Sequence, residues 1–132
     1  MASEDDFWPD EAFQDLGLVP PVTILREQAN ALTKRSKGVL RGEVDTSSSG
    51  SRLIHLLYVA APAMDYRVAI IRVDHSPQEM YPVDVSLLLG PMTQVPFVCA
   101  NDADYRAALK RLLADKQVAK VVSNLLAQAT TD

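Results

Sequence analysis

Residues 52–61 read RLIHLLYVAA, a run that is apolar on both alternating faces. Leu53, Leu57 and Val59 fall on one face, and Ile54, Leu56 and Tyr58 on the other. A strand with this pattern sits centrally in a sheet. It is covered on both sides, or flanked by helices on one face and by a partner on the other. The rest of the chain has to supply its neighbours.

The following segments do so at short spacing. Pro62–Asp65 reads as a turn, and Tyr66–Asp74 alternates, with Val68 and Ile70 against Arg67, Ala69, Ile71 and Val73. His75-Ser76-Pro77-Gln78 turns again. Tyr81–Leu89 then carries Val83, Val85, Leu87 and Leu89 on one face and Asp84 and Ser86 on the other, the pattern of a half-exposed strand. On the other flank, Val39–Asp45 is a polar strand candidate, and residues 46–51 (TSSSGS) form a loop by composition. Connections this short imply an antiparallel meander, because parallel pairs need long crossovers. Gly90-Pro91 stops the last long strand, and Phe97–Ala100 is a candidate short edge strand.

Helices bracket the meander. Val22, Leu25, Ala29 and Leu32 form one apolar stripe over Val22–Lys37, with Pro20-Pro21 in front and Lys34, Arg35, Lys37 and then Gly38 at the end. Behind the sheet, Asn101 or Asp102 caps a helix with Tyr105, Leu109, Leu112 and Leu113 on one side. Asp115 caps another, carrying Val118, Val121, Val122, Leu125 and Leu126. The expected class is α+β: an N-terminal helix, an antiparallel meander of about four strands, and two C-terminal helices packed on the sheet.

Charge divides the chain at Pro20-Pro21. Residues 1–15 hold Glu4, Asp5, Asp6, Asp10, Glu11 and Asp15 and no base, whereas the remainder holds 11 acids against 13 bases. The net charge of −4 therefore belongs to the front of the chain. Residues 1–19 read as an acidic-aromatic segment, and residues 20–132 as a single α+β domain of a size that one core can serve. Neither part is charged enough to predict nucleic-acid or membrane binding. The longest apolar stretch, Leu56–Met64, is too short to span a bilayer. With one cysteine and no secretory signal pattern, a cytoplasmic location is expected.

Chemistry-bearing residues are sparse, and no catalytic set, cofactor motif or metal-ligand spacing emerges. His55 lies on an apolar strand with only His75 as fellow histidine, so a buried imidazole donating to a backbone carbonyl is expected. Cys99 stands just before a helix N-terminus, where a thiol can become nucleophilic, but no base is indicated near it. Asp74, Glu79 and Asp84 flank a turn and read as solvated. The clusters Lys34, Arg35, Lys37, Arg41 and Arg106, Lys110, Arg111, Lys116, Lys120 read as solvated helix faces. Residues 47–50 (SSSG) lack the pattern of a phosphate loop.

The order helix, meander, Tyr81-Pro82, C-terminal helices resembles the ubiquitin-conjugating/RWD superfold over residues 21–130. That resemblance implies comparison of Cys99 with the conjugating nucleophile, or a catalytically silent binding module. The His-Pro-Asn element that precedes the nucleophile in those enzymes is missing here.

The N-terminus is the least ordinary feature. Phe7, Trp8 and Phe13 stand among acids, where aromatic anchors and acidic steering suit partner recognition, or where the rings pack on the domain itself. The expectation is a non-enzymatic protein-interaction module of the small bacterial immunity, antitoxin or adaptor type, with another protein as partner. A homodimeric structural component is the other expectation.

Overall fold

The structure is a computed structural model that describes residues 6–90 and 96–130. Glu4 and Asp5 of the acidic segment and Pro91 of the strand stop lie outside the described residues. The elements run in the expected order. A short 3-10 turn at Asp10–Phe13 precedes helix α1 (Pro21–Arg35), strands β1 (Arg41–Ser49), β2 (Arg52–Ala61), β3 (Tyr66–His75), β4 (Val83–Leu87) and β5 (Phe97–Cys99), and helices α2 (Asp102–Leu113) and α3 (Lys116–Ala129). The described strands form one antiparallel sheet in the order β1-β2-β3-β4-β5, so the chain has the expected α+β fold, with the candidate edge strand near Phe97–Ala100 adding the fifth of the described strands.

The helices end where local chemistry ends them. Pro21 opens α1 at the first helical position, and Gly38 closes it at φ +81°, its N–H reaching the Thr33 carbonyl at 2.9 Å. Asn101 Oδ1 accepts from the Asp104 N–H at 2.9 Å to cap α2. Asp115 Oδ1 accepts from the Gln117 N–H at 2.8 Å to cap α3.

All three helices cover the same sheet face. Leu57, Val59, Ile71, Val73, Val83 and Val85 of that face are buried and meet Ile24, Leu25, Tyr105 and Leu109 from the helices. Helix α1 lies over β1 and β2, α2 over β4 and β5, and α3 against β2. The Tyr105 hydroxyl ties the layer together by donating to the Pro21 carbonyl at 2.8 Å. Gly42 is required where α1 crosses β1, because a Cβ there would land on the backbone of Ala29.

Among the described residues, no helix packs on the opposite face. Ile54, Leu56 and Tyr58 run down its centre, half-buried, among ion pairs that cross the strands. Arg52 bridges Asp74 at 2.7 Å and Asp84 at 3.0 Å, Arg72 meets Asp74, and Arg67 meets Glu43 and Asp45 while lying over the Tyr58 ring. Asp74 and Asp84 are therefore paired, not merely solvated.

Two local readings are corrected. Residues 46–49 are not loop, because they continue β1 opposite His55 to Arg52, leaving only Gly50 and Ser51 to turn. A bulge where Leu57 and Tyr58 face β3 buries both Ile70 and Ile71, whereas simple alternation places them on opposite faces.

Candidate functional site

The acidic segment begins with local order. The Asp6 carboxylate accepts from the Trp8 N–H, and the Asp15 carboxylate from the Gly17 N–H. Between them the 3-10 turn brings the Trp8 and Phe13 rings edge-on, 6.0 Å between centroids. The rings pack on each other and stay in water: Phe7 is 91%, Trp8 68%, Phe13 73% and Leu16 71% exposed.

A second apolar surface opens in the helical layer. Helices α1 and α3 leave between them a groove of about 480 Å³, floored by Leu57, Val59 and Ile70 of the sheet. Ala31 and Leu32 form the α1 wall, and Val122 and Leu126 the α3 wall. The groove exists because the apolar stripe of α3 is wider than the sheet surface it meets. Only Val118 and Leu125 of α3 are buried, while Val121, Val122 and Leu126 are half-exposed. Arg35 borders this groove and also an adjoining recess between α1 and α2, where Arg106 and Lys110 stand.

Charge is sorted between these surfaces. Helices α1 to α3 carry eight bases (Arg26, Lys34, Arg35, Arg106, Lys110, Arg111, Lys116, Lys120) and three acids (Glu27, Asp102, Asp104). The sheet strands balance four bases against four acids. Residues 6–19 hold Asp6, Asp10, Glu11 and Asp15 and no base.

Cys99 lies on β5 opposite Val83, 2% exposed. Burial first, and then Asp104 and Asp84, push its thiol above the usual range, so it stays protonated at neutral pH. The helix N-terminus does not activate it. Among the described residues, no group of three or more His, Cys, Asp or Glu is placed to hold a metal ion, and no helix is long and apolar enough to cross a membrane.

The structure does join the two histidines, which sequence spacing kept apart. His55 pairs with Val73 and His75 with Leu53, so the rings sit diagonally across the β2–β3 hairpin with Nε2 atoms 3.1 Å apart. His55 Nδ1 meets the Thr46 hydroxyl at 2.8 Å, not a backbone carbonyl, and it is His75 that meets carbonyls, those of Ser76 and Glu79. Both rings are buried.

No family model, curated protein or solved structure matches this chain. The superfold resemblance therefore rests on element order and the Tyr81-Pro82 pair.

Proposed function

We propose that the chain is a non-enzymatic protein-interaction module of adaptor, immunity or antitoxin type, with Phe7, Trp8 and Phe13 as its partner-binding residues. One observation carries the reading: three aromatic side chains of a folded chain stand between 68% and 91% exposed on one acidic segment. Covering a large apolar side chain is worth about 1.5–3 kcal/mol. The segment thus holds unused binding energy in the residue types that anchor interfaces. The Trp8–Phe13 contact and the turn at Asp10–Phe13 reduce the ordering cost of docking. Its acids favour a partner with a basic surface.

The test compares immobilised full-length protein with a Trp8→Ala/Phe13→Ala variant as bait in native lysate, followed by remixing of the purified captured protein. A defined complex whose Kd weakens by about thirty-fold or more in the variant is expected, the scale of at least one hot-spot truncation. Equal affinity for both baits, or no complex with either, removes the reading.

The uncovered sheet face favours a second reading, a homodimer. Ile54, Leu56 and Tyr58 form a continuous half-buried row there. Light scattering on the unsubstituted protein and on Leu56→Glu tests it. A monomeric mass for both excludes the dimer.

A further inference from the structure

We infer that the groove between α1 and α3 is a docking site for the chain's own acidic-aromatic segment, residues 6–19, which closes over it and withholds Trp8 and Phe13 from other proteins. The inference rests on the partner-binding reading of those residues and adds the surface that competes for them.

Three observations select this occupant. The groove is apolar: half-exposed Ala31, Leu32, Leu113, Val122 and Leu126 line it above the buried Leu57, Val59 and Ile70, and it is large enough for an aromatic side chain or two. Its surroundings are cationic: Arg35 stands on the rim and Lys110 in the recess beyond, where Arg106 is paired with Asp102 and Glu27, and the helices together carry five more bases than acids. The segment presents the complementary set, Trp8, Phe13 and Leu16 between Asp6, Asp10, Glu11 and Asp15. The balanced charges of the sheet face offer no such match.

Reach allows it. Phe13 is seven residues from Pro20, an extended span of about 23 Å. Helix α1, whose C-terminal half from Gln28 onward lines the groove, is 15 residues, or about 22 Å long. Tethering gives the segment an effective concentration on the order of millimolar. Its own groove therefore outcompetes that of a second copy at ordinary protein concentrations. In the arrangement described above the segment stands clear of the body, which is the open, partner-competent form.

Trp8 is the only tryptophan, so its emission reports the segment alone. The experiment measures Trp8 emission and acrylamide quenching in the full chain against a free peptide of residues 6–19. Two groove variants of the full chain are included: Val122→Glu, and the surface pair Arg35→Glu/Lys110→Glu, whose exposed positions spare the fold. Blue-shifted emission and several-fold weaker quenching in the full chain are expected, returning to peptide-like values in the variants and in high salt. Quenching equal to that of the peptide overturns the inference. Protection that survives in the charge-reversed pair overturns the groove as its site. Protection that appears only with rising concentration and a doubled mass assigns the groove to a second copy and overturns the own-segment occupant. If the partner complex still forms through Trp8 and Phe13 while Trp8 stays unprotected, only this inference fails. If Trp8 is protected and no partner complex forms even with the opened Val122→Glu chain, the partner reading fails while the groove stands as the segment's docking site.

Discussion

Nε2 of His55 faces Nε2 of His75 at 3.1 Å, and the surrounding acceptors fix which ring donates. His75 Nδ1 meets the carbonyl oxygens of Ser76 and Glu79 at 2.8 and 2.9 Å, and carbonyls only accept, so Nδ1 carries the His75 hydrogen. In the neutral pair, His75 Nε2 is then the acceptor and His55 Nε2 donates to it. His55 Nδ1, left without hydrogen, accepts from the Thr46 hydroxyl. Adding a proton to each ring would set two N–H groups head to head.

A pH dependence follows. Burial first, then His75 and Arg26, lower the His55 pKa from 6.5 to about 4. The unfolded chain therefore takes up this proton at higher pH than the folded one. The contribution to stability is complete above pH 6.5 and is lost as pH falls towards 4, by about 3 kcal/mol at most. Urea denaturation at half-unit pH steps checks it, read as the difference from His55→Gln, which removes this titration and leaves the carboxylates. Parallel curves for the two proteins between pH 4 and 6.5 would sink the assignment.

Why the sequence disclosed the sheet but not this pair is a matter of register. The two-faced apolar run at 52–61 had one physical solution, a central strand, and it became β2 with helices over one face. The pairing of His55 with Val73 depends on the turn after Ala61 and on the bulge at Leu57/Tyr58, and alternation alone specifies neither. Residues 46–49 misled for a different reason. Serines have poor strand propensity, but β2 presents its full length of backbone donors and acceptors, and tertiary pairing overrides propensity. The segment boundary near Pro20 and the aromatics beyond it were legible as composition. The groove was not, because it is space left between α1 and α3, and no residue pattern states what fails to meet.

Gly42 offers a sharp test of the α1–β1 packing. Its N–H bonds the Thr33 hydroxyl at 3.0 Å, and an added Cβ would collide with the Ala29 backbone, which cannot rotate away as a side chain could. Gly42→Ala is expected to cost about 3 kcal/mol, the upper end for overpacking. Gly50→Ala is the contrast. It sits at φ +59° with open space around it, so only backbone strain of about 1–2 kcal/mol applies. Urea midpoints in the reverse order would refute the close approach.

Cys99 should be chemically quiet in the native protein. It is 2% exposed and its thiol is pushed upward by burial, so both access and thiolate fraction are low. Labelling with a disulfide reagent at pH 7.5 is expected to run orders of magnitude slower than in urea. Rapid stoichiometric labelling of folded protein would revive a nucleophilic role and count against a purely binding function.

Tyr105 joins the two ends of the helical layer, and its ring and hydroxyl contribute separately. The ring is fully buried beside Tyr81, with centroids 6.2 Å apart, so Tyr105→Ala removes a core aromatic at a cost of about 3–5 kcal/mol. The hydroxyl donates to Pro21 O across 84 residues of sequence. Tyr105→Phe keeps the ring and deletes that bond. The carbonyl it abandons opens α1 and also faces the helical N–H four residues on, so it is not left bare. The expected loss is therefore about 1 kcal/mol, the net value of one hydrogen bond and not the larger cost of an orphaned group. Urea unfolding of the two variants measures both contributions. A Tyr105→Phe variant as destabilised as Tyr105→Ala would show that this bond anchors the start of α1 far more strongly than one neutral hydrogen bond can. One indistinguishable from wild type would show the hydroxyl to be idle.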